Sequence, residues 1–192
     1  MAGQLLEHRP KRALLKHYWF YNREIVRTGI LPNITDHQFY PTPEALAQTV
    51  NDLAEIDSMH SVLEPSAGLG NLLVNVPVAQ VTCVDISPLH CLILKEKNFS
   101  KVIRGDFLEL DDLGKFDRVL MNPPFSMGRA ETHLIKAFGH LKAGDILVAV
   151  LLGSMHNKKM LEKAECQFTK IEDAGFEGTK VCVTTLRVVK LV

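Results

Sequence analysis

From Ser61 onward the chain alternates short, unbroken apolar runs with stretches of helical spacing. The runs are "SVLEPSAGLG", "QVTCVDIS", "KVIRGDF", "FDRVLMNPPF" and "DILVAVLLGS". Pieces of helical spacing lie between them, such as 88–97 and 129–141. An apolar run without polar alternation has no face to give to water, so such strands are expected in a parallel sheet covered on both sides by helices. Near the end the pattern changes. "FTKIEDAG" and "KVCVTTLRVVKLV" follow one another with only a turn between, which predicts a terminal hairpin and one antiparallel strand.

Residues 1–38 predict a separate helical extension. "KRALLKHYWFYNREIV" sets Leu14, Leu15, Tyr18, Trp19, Tyr21, Ile25 and Val26 at roughly helical spacing, and Gly29 and Pro32 stop it. Six Lys and Arg against three acids make this segment mildly basic, although Lys+Arg and Asp+Glu balance at 22 each over the 192 residues. The whole-chain charge therefore favours no class of partner. In "TDHQFYPTP" two prolines force an extended path, after which Thr42 is expected to cap a helix running to about Ile56. Four cysteines without C-x-x-C spacing, two of them (Cys83 and Cys182) inside apolar runs, predict buried free thiols in a reducing compartment. No signal-peptide pattern and no apolar stretch of ~18 residues is present, so a cytoplasmic location without membrane contact is expected. The eight histidines show no ligand spacing, and no metal site is expected.

Each of the first four runs ends in polar or conformationally special residues. After the first, "EPSAGLG" carries Gly68 and Gly70, which let backbone approach a ligand closely, and a helix N-terminus is expected to follow. Its spacing is not that of the dinucleotide fingerprint. Asp85 ends the second run, where a carboxylate is placed to accept from ribose hydroxyls. Asp106 ends the third and suits an exocyclic adenine amine, with Phe107 suited to pack against the ring. Each of these three also fits a plain turn or cap.

"NPPF" is harder to explain as a turn. Asn122 offers a neutral carbonyl acceptor at a strand end, where open parallel sheets bind ligands. Pro123 and Pro124 fix the backbone and remove its donors, so the Pro123 carbonyl stands as a second acceptor. Two acceptors facing one planar –NH2 group draw its lone pair out of conjugation and make the nitrogen nucleophilic. Phe125 supplies a flat surface for a planar substrate.

In order and spacing, "FYPTP", "EPSAGLG", "VDIS", "RGDF" and "NPPF" resemble the S-adenosylmethionine-dependent amino methyltransferases of class I. More narrowly, the chain resembles adenine-specific (N6) DNA methyltransferases of the small phage or mobile-element type. The resemblance covers about residues 38–192 and implies a Rossmann-like domain at 39–192, with a seven-stranded, mostly parallel sheet. It implies S-adenosylmethionine as cofactor, held at the methionine end by Tyr40, Thr42 and Pro43 beside Glu64, Ser66, Ala67, Gly68 and Gly70. Asp85 with Ile86 would hold the ribose, and Asp106 with Phe107 the adenine. Asn122, Pro123, Pro124 and Phe125 would form the catalytic pocket, with Asn122 also against the cofactor. The implied reaction is methylation of the adenine amine in DNA, the base leaving the stack to reach Phe125.

Loops long enough for a dedicated target-recognition region are missing from the pattern, so weak sequence preference, or a partner subunit supplying specificity, is expected. The longest candidate, 153–167, carries Lys158 and Lys159 as phosphate contacts, and Lys11 and Arg12 of the basic extension are further candidates. Alternative substrates are RNA adenine and a protein glutamine side chain, although the glutamine enzymes usually carry N-P-P-Y. A catalytically idle binding protein is the remaining alternative, and the intact Asn122, Phe125 and loop glycines speak against it.

Overall fold

The computed structural model describes residues 41–176 and 180–192. The basic extension with Lys11 and Arg12, and Tyr40, lie outside the described residues.

The elements are α1 (Glu44–Ala54), β1 (Val62–Glu64), β2 (Val81–Asp85), α2 (Pro88–Glu96), β3 (Lys101–Arg104), β4 (Phe116–Met121), α3 (Arg129–His140), β5 (Leu141–Leu152), β6 (Ala164–Phe168), β7 (Glu172–Asp173) and β8 (Cys182–Lys190). They build one sheet in the order β3-β2-β1-β4-β5-β8-β6, with β7 also on β8. The pairs from β3 to β5 are parallel, and β8 runs antiparallel to β5, β6 and β7. This is a mixed α/β, Rossmann-like sheet with an antiparallel C-terminal part.

The unbroken apolar runs are explained by two cores, one on each side. Successive strand residues point to opposite faces. Val62, Cys83, Leu120 and Val148 therefore join α1 residues Leu46, Ala47, Val50 and Ala54 in one core. Their chain neighbours Leu63, Val84, Met121 and Ala149 join α3 residues Ala130, Leu134 and Ala137 in the other.

Four expectations are corrected. The helix expected after the glycine turn does not form: 71–77 is a run of turns ending in a 3-10 turn at Val78–Gln80. Only a few residues separate Gly70 from Pro77, and Asn75 sits at φ 64 in the left-handed region. Leu72, Leu73 and Val76 of this segment still reach the α1-side core.

The second correction concerns Thr42, which does not cap α1. Pro43 occupies the cap position without a side-chain hydrogen bond, and the Thr42 hydroxyl is engaged elsewhere.

Third, the strand expected in "FTKIEDAG" begins earlier, at Ala164, and is split, so that the two-residue β7 adds an eighth strand beside the seven expected. Thr169 causes the split. Its Oγ1 accepts from the Thr185 N–H at 2.9 Å, while its own N–H donates to the Thr185 carbonyl at 2.9 Å. A side-chain oxygen thus replaces a backbone acceptor, and regular pairing stops there.

The fourth is Cys182, which is exposed, as is Cys166; Cys83 and Cys91 are buried.

Candidate active site

Parallel neighbours bring the ends of four strands to one edge of the sheet. Glu64 ends β1, Asp85 ends β2, Asp106 stands two residues past β3, and Asn122 directly follows β4. In the order β3-β2-β1-β4 these side chains line a single rim.

Asp85 organises that rim. It is 8% exposed, and its Oδ2 accepts from the Gly68 N–H at 2.7 Å. Its Oδ1 accepts from the Ser87 N–H at 2.8 Å and lies 3.1 Å from His90 Nδ1. The Asp85 carbonyl accepts from the Gly105 N–H at 3.0 Å. One residue thus ties the glycine turn, the start of α2 and the turn after β3. Gly68 (φ 53) and Gly70 (φ 78) adopt the left-handed conformation that this turn needs. Ala67 is buried, and its N–H bonds the Val84 carbonyl at 2.9 Å. Ile86, beside Asp85, is 38% exposed, a large apolar side chain left at the rim.

Glu64 is 1% exposed, and its Oε2 has no hydrogen-bond partner. Burial first, and the Asp85 charge second, raise its carboxyl pKa well above the usual range. An orphaned carboxyl oxygen under the glycine turn is what a cationic ligand group would satisfy.

Ser66, half-buried, places Oγ 3.3 Å from Nδ1 of His133, whose other ring nitrogen is buried without a partner. Asp106 accepts from the Leu108 N–H through Oδ1 at 2.9 Å and from Arg129 Nη2 through Oδ2 at 2.7 Å. Burial alone would raise the Asp106 carboxyl, but these two donors outweigh it and hold its pKa below the usual value. Phe107 corrects an expectation. It is 2% exposed and packs against the rings of His133 and His140, with centroids at 5.5 and 5.9 Å, and under Lys136. Its ring anchors α3 and has no face to offer a nucleobase.

Asn122 is half-buried and donates its side-chain N–H to Thr42 Oγ1 at 3.0 Å. That bond fixes which end of the amide points where, and leaves the carboxamide oxygen as an acceptor. Pro123 is buried, and Pro124 and Phe125 are half-buried. The Phe125 ring tilts against Phe176, with centroids 6.4 Å apart. Pro43, on the other side of Thr42, is half-buried.

Lys158 pairs with Glu131 in the first turn of α3 at 2.6 Å, and Lys159 is exposed. Both line a cleft of about 280 Å³ with Met160 and Phe168. The loop carrying them is shorter than expected, because β6 already begins at Ala164. Arg129, His133 and Lys136 were not singled out as site residues from sequence. Their i, i+4, i+7 spacing in "RAETHLIK" is the signal that one helix face serves the rim.

No family model matches this chain, and no curated protein matches it. Solved structures do. A class I S-adenosylmethionine-dependent methyltransferase proposed in Listeria monocytogenes superposes with a TM-score of 0.67 at 16% identity, covering 98% of this chain and 71% of that one. The modification subunit of a proposed type I restriction enzyme from Vibrio vulnificus gives 0.65 at 15%, covering 96% and 50%. A proposed RNA methyltransferase from Pyrococcus horikoshii gives 0.61 at 24%, covering 80% and 87%. The chain thus spans about half the length of the restriction-enzyme subunit. At these identities the likeness is one of architecture, and the chain has the fold of the class I S-adenosylmethionine-dependent methyltransferases.

Proposed function

We propose that this chain transfers a methyl group from S-adenosylmethionine to the exocyclic amine of adenine in DNA. One observation carries the reading: the Asn122 amide is held by Thr42 with its oxygen left to accept, at the strand edge that holds the glycine turn.

The rim fits the cofactor. The orphaned Glu64 oxygen suits the ammonium of its methionine end, and Ser66 and the Gly68–Gly70 turn lie beside it. Asp85 and Ile86 suit the ribose, and Asp106 suits the adenine amine, a role it would carry without the buried Phe107 ring. When bound, the cofactor supplies an electrophilic methyl group. The chain's own work is positioning and electronic. Asn122 Oδ1 and the Pro123 carbonyl accept the two hydrogens of the substrate amine and localise its lone pair. Phe125 steadies the ring from the side that Phe176 backs. No acid or base among these residues is needed to start the transfer.

A DNA substrate is supported by the narrow motif resemblance and by the likeness to a restriction-enzyme modification subunit. RNA adenine is the second reading, favoured by the likeness to a proposed RNA methyltransferase. Lys158 and Lys159 are the proposed phosphate contacts, and a partner subunit would add sequence specificity.

Incubation with methyl-labelled cofactor and DNA, RNA or protein extract separates these readings, and nucleoside digestion identifies the base. Label is expected in N6-methyladenine of DNA. Asn122→Ala should abolish transfer while cofactor binding persists. Undiminished labelling in that variant would remove Asn122 from the chemistry.

A further inference from the structure

Helix α3 leaves the catalytic turn and immediately touches two cofactor-side residues. Arg129 donates to Asp106, and His133, one turn on, meets Ser66. Lys136, on the same face, donates to the Leu108 carbonyl at 2.9 Å. We infer that Arg129 and His133 are positioning residues, each orienting one cofactor-binding side chain: Arg129 sets Asp106 for the adenine amine, and His133 sets Ser66 for the amino-acid end. The inference rests on the methyltransferase reading above and goes beyond it in assigning these two roles.

The Arg129 site has a structural rationale. A carboxylate has about four acceptor positions. Leu108 N–H takes one on Oδ1 and Arg129 takes one on Oδ2, which fixes the plane of the group and leaves acceptor capacity on each oxygen. An ionised, oriented acceptor favours an amine and repels the oxygen that replaces it in hypoxanthine. A cation in the first turn of a helix opposes the helix dipole, so the guanidinium's place there is set by Asp106 and not by the helix itself.

His133 is 3% exposed, and its second ring nitrogen is buried without a partner, so it acts as a neutral imidazole with a single polar contact. With Nδ1–H donating to Ser66 Oγ, the serine O–H is left to donate toward a ligand carboxylate.

Calorimetric binding of three probes tests both roles. The S-adenosylhomocysteine to S-inosylhomocysteine affinity ratio reports the adenine amine. The S-adenosylhomocysteine to adenosine ratio reports the amino-acid end. Arg129→Gln is expected to lower the first ratio roughly tenfold and leave the second unchanged. His133→Leu is expected to do the reverse, while His133→Asn, which keeps a side-chain N–H, retains the wild-type ratios. Ratios unchanged in both Arg129→Gln and His133→Leu, or both ratios falling together in each, would overturn the inference and leave the methyltransferase reading standing. Wild-type protein that binds neither S-adenosylhomocysteine nor adenosine would instead overturn that reading, and the inference with it.

Discussion

Asn122 Nδ2 and Thr42 Oγ1 lie 3.0 Å apart and join the residue after β4 to the residue before the cap of α1, 80 positions apart in sequence. The bond orients an amide that has no other hydrogen-bond partner among the described residues. Thr42→Val keeps the shape and removes the acceptor. Transfer is expected to slow by up to about tenfold, the net worth of one hydrogen bond. Labelled-methyl kinetics should show the loss in kcat. An unaltered kcat would mean that the amide is oriented by something else.

Gly70 and Gly144 separate backbone strain from crowding. Both have positive φ, +78 and +84, but a Cβ on Gly70 would lie 3.1 Å from Leu94 Cδ2 and 3.2 Å from Phe99 Cε2, whereas nothing lies within 4 Å at Gly144. Gly144→Ala should cost about 1 kcal/mol and Gly70→Ala about 1–3 kcal/mol in denaturant unfolding. Only the Gly70 variant should also weaken S-adenosylhomocysteine binding. Equal costs would show that the neighbours yield freely.

His133 gives the acid side of the stability profile a defined origin. Burial first, and the Arg129 charge second, lower its pKa to about 4, against ~6.5 in an unfolded chain. A depressed value means that the unfolded chain takes up the proton first. This contribution is therefore complete above pH ~6.5 and is lost as pH falls toward 4, up to about 3 kcal/mol. His133→Gln should flatten the decline between pH 7.5 and 5 in chemical denaturation. A wild-type curve already flat across that window would contradict the assignment.

The two lysines beside the Phe168 cleft should act on affinity and not on folding. The Lys158–Glu131 pair is half-exposed and of the kind worth at most about 1 kcal/mol. Replacing Lys158 and Lys159 by Ala should leave the melting temperature nearly unchanged. The slope of log affinity for DNA against log salt should become shallower by about 1–2. A parallel slope in the variant would take these side chains away from the phosphates.

Much of this is legible in the sequence. The apolar runs around Leu63, Val84 and Val148 announced two-sided burial, and the polar residues ending them announced the rim. The helical spacing at 88–97 matches α2, and the structure adds the cap that spacing alone did not name, the Ser87 hydroxyl accepting from His90 N–H. What stayed hidden depends on contacts between distant segments. Thr169 interrupts a strand only because Thr185 lies opposite. Phe107 turns inward because α3 offers rings to pack on. Thr42 looked like a cap until Asn122 claimed its hydroxyl. Arg129 and His133 share a helix face by their spacing, but nothing near them in sequence names Asp106 or Ser66.

Strand β8 lies between β5 and β6, although it follows both along the chain. During translation, β6 and β7 must therefore wait, without their hydrogen-bonding neighbour, until residues 182–190 have emerged. Closure of the sheet is in this sense a late, keystone event. A ribosome-stalled chain lacking that stretch should expose to chaperones the edges of β5 and β6 that β8 covers in the finished molecule.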